Sequence, residues 1–409
     1  MIEASGPDGK SGPVLKKRRL GAALVFEEKG IFMKKKITTW EAACIITGYG
    51  IGGGVLAMPY LAEKNGIIMS MIILAAAFAA SILLHMMIAD VVLKCGAGTQ
   101  VVGVFSRFMF KGKLKKLLTV VFFALMAVIL VANLAAYVAG AAEVIEGLIG
   151  ISPFVCKLLF YIIAAAVVLF GLKAVAVSEK LMVAIIFGMI AVLGILSLLK
   201  HPGSLSVETG TARDALAYYG MAMLAFAAFF SVPQAVEGLQ GDEKEVKKAV
   251  ILGLGNNFII MIVVICCALI GSETVTEVGM VGWSEGIGSA AEIIGGLFTL
   301  VAMLTTYWSI SLALSDILRE QFPKMSSKIC WLIATLPSLI ITLLNVGDFL
   351  DFLQIAGGAI AIVIALLFVP CYRIANKEIP RTMLGKCSGT AFQIFVIIAY
   401  ILMGIGNII

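Results

Sequence analysis

From Ala42 to Ala62 the chain carries no charged side chain, so anything bound there must be met by backbone and hydroxyl groups. Within that stretch, GYGIGGG makes five of the seven residues from Gly48 to Gly54 glycine. Each glycine costs a helix interior roughly 1 kcal/mol relative to alanine. Backbone amides freed between Gly50 and Gly54, through Ile51, Gly52 and Gly53, would stand near the positive end of the half-helix that follows. Thr47 and Gly48 lead into the break from its other side. That arrangement suits a ligand that brings its own carboxylate, whereas a metal-ion or amine carrier would want an acidic side chain in the gap. Close helix packing through small residues is the alternative use, but it needs one glycine per turn and not three in a row.

The elements that must hold this break are membrane helices. The sequence is 61% hydrophobic and 14% charged over 409 residues, with a mean hydropathy of +1.06. Its apolar residues fall in runs long enough to cross a bilayer, with none of the period-2 alternation of a β-barrel. Hydropathy breaks predict eleven spans, at 37–62, 66–93, 115–148, 153–171, 175–199, 214–239, 246–271, 288–318, 328–345, 348–372 and 388–408. With the N-terminus in the cytoplasm, 27 of the 31 Lys and Arg residues fall on the cytoplasmic side; Lys64, Lys157, Lys200 and Arg213 are the exceptions. The positive-inside rule thus supports an odd count of spans and an outside C-terminus. Topology accounts for the net charge of +6, and no nucleic-acid partner is implied. Residues 1–36 read as a disordered basic tail whose apolar patch is too short for a signal peptide, with Met33 before KKK as a start and 1–32 as an extension. The eight scattered cysteines include no C-x-x-C, so neither a disulfide framework nor a zinc site is implied.

A broken helix at mid-membrane is tolerated where protein or a wet cavity surrounds it, and transporters built from inverted repeats use such breaks to bind substrate. That reading demands a partner break five spans later. Span 6, YYGMAMLAFAAFFSVPQAVEGL, supplies one: Pro233 removes a backbone donor, and Ser231 offers a hydroxyl beside the gap. Spans 3 and 8 are both long, and each precedes a pair of shorter ones. The predicted organisation is a first repeat at 37–199, an inverted second repeat at 214–372, and an accessory eleventh span at 388–408.

GYGIGGGVLAMP resembles the G-x-G-x-G-x-G-[VI]-[LF]-x-x-P signature in the first helix of amino acid permeases. Span 6 through VEGLQGDEKEVKKAVILG resembles the acidic residue, polar loop and basic cluster after the broken sixth helix of those families. Together with eleven spans, this is similar to the amino acid/auxin permease branch of the amino acid–polyamine–organocation superfamily. The resemblance implies an all-α polytopic membrane protein with a 5+5 inverted-repeat, leucine-transporter-like fold. It also implies that the glycine amides hold the α-carboxylate of an amino acid. Span 6 departs from the family pattern in having Phe229 and Phe230, in place of a polar pair, at its break.

On that resemblance, Phe229, Phe230 and Ser231 join Asn133 and Tyr137, which share a face of span 3 at i, i+4, to form the side-chain pocket. Two phenylalanines and a tyrosine favour a neutral, apolar or aromatic substrate. A sodium site known in this fold implies ligands from Ala302, Thr305 and Thr306 at i, i+3 and i+4, with carbonyls near Thr47 and Gly50. Thr305 and Thr306 could equally bond their own helix carbonyls. Proton coupling is the rival: Lys180 on span 5, His85 on span 2 and Glu237 on span 6 are its titratable candidates. Asp90, Glu179, Asp316 and Arg319 are expected near inner ends, as gate pairs.

Other classes fare worse. An intramembrane protease would need a serine motif that Ser231 lacks, and a pyrophosphate-dependent transferase needs aspartate clusters that are absent. A channel could use a glycine-lined filter, but two inverted breaks favour alternating access. The expected protein is therefore no enzyme. It is an ion-coupled amino acid importer in the plasma membrane of a prokaryote, monomeric or weakly self-associating. Its partners are an amino acid and the lipid bilayer, and it needs no cofactor beyond a coupling Na⁺ or H⁺.

Overall fold

A computed structural model describes residues 37–408 apart from 201–204, 206, 273–274, 276–282, 284–286 and 348. The basic tail expected to be disordered lies outside the described residues. Among these, fourteen α-helices run in order as α1 (Thr39–Gly50), α2 (Gly53–Asn65), α3 (Ile67–Cys95), α4 (Val101–Phe108), α5 (Lys115–Ile149), α6 (Pro153–Leu169) and α7 (Leu172–Lys200). The second half holds α8 (Ala212–Ala225), α9 (Ser231–Gly238), α10 (Glu243–Gly271), α11 (Ser289–Gln321), α12 (Ser327–Leu343), α13 (Phe349–Glu378) and α14 (Thr390–Gly406). Span 1 is the broken pair α1–α2, and span 6 is the broken pair α8–α9.

Each predicted span coincides with a helix or a broken pair of helices, with ends shifted by a few residues. The largest shift is at α13, which continues to Glu378 instead of ending at 372, because the amphipathic RIANKE extends the helix after its apolar run stops. Hydropathy missed α4, whose eight residues are too few for a spanning window. Val101, Val102, Val104, Phe105 and Phe108 are buried on one side of it. Its N-terminus is capped from elsewhere: Gln100 and Gly103 donate backbone N–H groups to the Glu320 carboxylate at 3.1 and 3.2 Å. A carboxylate at that pole is favourable.

Both broken spans begin with the same device. Thr38 and Glu41 exchange hydrogen bonds at 2.9 and 3.2 Å, and Thr211 and Asp214 do so at 2.9 and 3.3 Å. These are capping boxes, written in the sequence as T-x-x-E and T-x-x-D. They satisfy amides at the two helix starts that the inverted topology puts on opposite faces.

α1 packs on α7, α10 and α11, and α2 packs on α8 and α10. α5 packs on α6, α11, α12 and α13. The first break therefore lies in the interior. Its enclosing helices turn apolar side chains such as Val121 and Val128 of α5, Ile162 of α6 and Ile195 of α7 outward, as a lipid-facing surface requires. α14 docks on α8 glycine to glycine: a methyl group built on Gly220 would lie 2.7 Å from the Gly406 carbonyl carbon. Beside that contact Tyr219 donates to the Ala399 carbonyl at 3.2 Å.

Candidate functional site

α1 ends at Gly50 and α2 begins at Gly53, so the first break is only Ile51 and Gly52. Ile51 N–H still closes on the Thr47 carbonyl at 3.1 Å, and Val55 N–H tightens the next turn onto Gly52 at 3.2 Å. No side chain caps α2. Its positive pole thus faces the gap with its first amides uncapped by any side chain.

The glycines admit different neighbours. A Cβ at Gly48 would collide with the Glu179 carboxylate of α7, and one at Gly50 with the Asn257 amide of α10. At Gly52 it would lie 2.6 Å from the Tyr137 hydroxyl and 2.7 Å from that of Thr306. At Gly54 it would lie 2.9 Å from the Ala225 Cα, where α2 crosses the end of α8. Close packing, the alternative weighed for these residues, is thus realised at all four positions, while the break itself remains.

The negative pole of α1 faces α11. Thr306 Oγ1 lies 3.0 Å from the Gly48 carbonyl, 3.1 Å from Ala302 O and 3.4 Å from Tyr49 O. Thr305 Oγ1 lies 2.9 Å from Ala302 O and 3.3 Å from Gly48 O. Five oxygens from Gly48, Tyr49, Ala302, Thr305 and Thr306 therefore converge. The α1 carbonyls differ from those expected, because the helix ladder runs on to Ile51 and uses Thr47 O. The Thr47 hydroxyl points away from this cluster, toward Ala43 O (2.9 Å) and Gly253 O (3.2 Å), and accepts from Asn256. The Cα of Gly50 lies against the Asn257 amide.

The second break covers Phe226 to Phe230. Ser231 donates its hydroxyl to Ala228 O at 2.7 Å, closing one end. His85 closes the other: its Nε2 accepts the Ala228 N–H at 3.0 Å, while Nδ1 donates to Ser81 O at 2.7 Å. Both contacts are met by the neutral Nδ1–H imidazole, because a proton on Nε2 would face another N–H. His85 is here a backbone cap for the second break. Phe229 stacks on His85 at 5.1 Å and meets Tyr400 of α14 at 5.9 Å, so its ring is drawn away from α5. Phe230 and Ser231 are buried at the start of α9.

Asn133 and Tyr137 are both buried on α5, and no partner reaches Asn133 Oδ1 among the described residues. Lys180 lies away from the oxygen cluster: it is half exposed, 3.8 Å from Glu41, which also holds Lys173 at 2.7 Å. Glu237 lies in the last turn of α9. Asp90 and Asp316 pair with Lys94 and Arg319 within their own helices; Asp90 also accepts the Met383 N–H at 3.2 Å, and Lys94 reaches Asn376 of α13. Glu179 departs furthest from expectation: it is fully buried beside Gly48, its Oε1 accepting from Ser309 at 3.0 Å. Gln234 ties α9 to α11 through Ser309 O at 2.8 Å. Sequence reading passed over Asn256, Asn257 and Gln234; adjacent amides in GNNF, inside an apolar span, were the available signal.

The sequence profile of the tryptophan/tyrosine permease family matches residues 35–407. The chain belongs to that family. The permease is 24% identical over 368 residues to Glutamine transporter 2 of Aliivibrio fischeri, covering 83% of this chain and 89% of that protein. Its fold is similar to MHP1, a nucleobase-cation-symport-1 family transporter in a closed conformation with bromovinylhydantoin bound (TM-score 0.63, 14% identity, 92% of each chain). It is likewise similar to MhsT in complex with L-phenylalanine (TM-score 0.62, 16% identity, 91% of this chain and 100% of that one). The permease is an integral membrane transporter with the leucine-transporter-like fold, and not an enzyme.

Proposed function

We propose that this permease carries a neutral amino acid, apolar or aromatic, by cation-coupled alternating access. The observation that carries this reading is the α2 N-terminus, buried and without a side-chain cap, opposite Tyr137. An α-carboxylate there would supply the missing cap on the amides of Gly52, Gly53 and Gly54. Asn133, Phe230 and Ser231 are the remaining candidates for the side-chain pocket, without Phe229. The family name, the glutamine-transporting relative and the phenylalanine bound to MhsT all support an amino acid as cargo. Placement in the amino acid/auxin permease branch belongs to the same proposal, supported by the span count and GYGIGGGVLAMP.

The pole of α1 opposite the substrate amides offers the five-oxygen cluster to Na⁺, a hard cation that takes oxygen ligands, with H⁺ as the alternative coupling ion. The lysine-rich end is read as cytoplasmic, and transport as import across a prokaryotic plasma membrane. In this reading α1, α2, α8 and α9 rock against α5 and α11. The bonds that must part are those of Thr305 and Thr306 with Gly48, and of Gln234 with Ser309. Uptake of labelled tryptophan, tyrosine, phenylalanine and glutamine into proteoliposomes, with Na⁺ and pH gradients imposed separately, tests the function. Saturable uptake of at least one is expected; if no amino acid is taken up or competes, the reading fails.

A further inference from the structure

Far from the breaks, α4, the start of α5 and the end of α11 meet around a cavity of about 660 Å³. That is within the ~300–1,000 Å³ of ordinary ligand sites. Three exposed lysines line it, Lys113, Lys115 and Lys116. The opposite chemistry is supplied by Val120, Phe123 and Phe322, with the two rings edge to face at 5.7 Å. Ser106 and Thr119 complete the polar part, and their hydroxyls bond each other at 3.1 Å. The hydroxyls are thus partnered, and the ammonium groups are left to seek an anion.

The protein does not supply that anion. No carboxylate lines the cavity, and among the described residues none pairs with Lys113, Lys115 or Lys116. Carboxylates on neighbouring elements are engaged elsewhere. Glu378 of α13 lies 3.4 Å from Lys111, and Glu320 of α11 accepts from the amides of Gln100 and Gly103. The lysines are also held close to one another. Gly112, with φ of 71°, makes a turn that the Lys115 N–H closes on the Gly112 carbonyl at 3.3 Å, so Lys113 lies over the start of α5. The first turn of α5 contains no acidic residue, and its positive pole adds to the same field.

The position relative to the bilayer decides what kind of anion fits. α5 has 35 residues, about 52 Å at 1.5 Å per residue, against a hydrocarbon core of ~30 Å. Its excess length extends into the headgroup region. The lipid-facing side chains Leu117, Val120, Val121 and Val128 begin directly after Lys116. The cavity therefore opens where acyl chains give way to headgroups, basic on its wet side and continuous with an apolar surface on the other. A free phosphate would leave the apolar lining unused. A zwitterionic lipid brings a cation that three lysines repel.

We propose that this cavity binds an anionic glycerophospholipid, with its phosphate among Lys113, Lys115 and Lys116 and its acyl chains along the exposed side of α5. Basic pockets between membrane helices are suited to such headgroups. The bound lipid would fasten the α4–α5 turn to the end of α11. This inference goes beyond the transport reading and stands without it.

The test uses the purified, delipidated full chain in detergent. Dioleoyl phosphatidylglycerol, dioleoyl phosphatidylcholine or inorganic phosphate is added back. Lipid retained is counted by native mass spectrometry, and the half-life of monodisperse protein on heating is measured. Phosphatidylglycerol should be retained and should lengthen the half-life about threefold or more, and the other two should not. The K113Q/K115Q/K116Q variant should need about tenfold or more phosphatidylglycerol for the same retention. K244Q/K247Q/K248Q, which removes three exposed lysines of α10, should behave as wild type. Equal retention by the first variant and wild type overturns the proposal. So does an equal loss in the α10 variant, which marks general surface charge. Equal retention of phosphatidylcholine marks an apolar groove alone, and equal protection by inorganic phosphate marks a free-anion site; either overturns it too. If the first variant is not recovered folded, photoactivatable phosphatidylglycerol on wild type decides: cross-links at residues 113–123 or Phe322 support the proposal, and cross-links only elsewhere overturn it.

Discussion

Gly54→Ala adds one methyl group at the crossing of α2 and α8. That methyl would lie 2.9 Å from the Cα of Ala225, 3.0 Å from its Cβ and 3.0 Å from its backbone nitrogen. None of these is the tip of a flexible side chain, so one half-helix must shift against the other. Overpacking of this kind costs about 3 kcal/mol. Alanine's better helix propensity returns ~1 kcal/mol, leaving a net loss of about 2 kcal/mol. Gly147 of α5 and Gly188 of α7 provide the controls, since a Cβ at either meets nothing within 4 Å. Each should gain up to ~1 kcal/mol as alanine. The two classes should therefore differ by roughly 3 kcal/mol, about two orders of magnitude in heat-inactivation half-life if the whole difference appears in the unfolding barrier. The assay is the fraction of detergent-solubilised protein that remains monodisperse after timed heating. Survival of Gly54→Ala as long as Gly188→Ala would refute the claim that Gly54 is held by close contact with Ala225.

His85→Phe keeps an aromatic ring against Phe229 but removes one of two acceptors of the Ala228 N–H, leaving the Phe226 carbonyl at 2.8 Å. Loss of one hydrogen bond costs about 1 kcal/mol, so heat resistance should drop slightly while the pH dependence of uptake keeps its shape; a shifted pH dependence with unchanged stability would make the imidazole a titrating group. Thr306→Ala removes the hydroxyl between Ala302 and Gly48 and should lose about 1 kcal/mol of stability. If Na⁺ stimulates wild-type uptake, the variant should need more of it. Unchanged Na⁺ dependence would remove the Thr305–Thr306 cluster from consideration as an ion site.

Hydropathy carried the fold because a membrane span is a one-dimensional property: length and apolarity are enough to place it. The two breaks were legible for a related reason, since consecutive glycines and an in-span proline act on their own backbone. Side-chain partners were not. Glu179 and Lys180 are neighbours in sequence, and rotation about α7 alone sends one to the break and the other to the half-exposed ion pair with Glu41. Phe229 and His85 were read from their types, as pocket wall and proton carrier. What their types did not reveal is that they stack on each other, with His85 accepting the Ala228 N–H of the unwound backbone. The helix α4 and the paired capping boxes were visible as short motifs, but eight residues and four residues fall below what a spanning window can detect.

Among the described residues, the glycine-to-glycine dock of α14 on α8 has no counterpart in the first repeat. Two repeats of equal standing would make the inward-facing and outward-facing shapes related by a two-fold rotation and nearly equal in energy. A helix docked on α8, and also packed on α13 and α3, lifts that degeneracy, because the dock and the Tyr400–Phe229 contact have their partners at the second broken span. In the alternating-access reading proposed above, that asymmetry would bias the resting orientation of the empty carrier toward one side of the membrane before any gradient is applied.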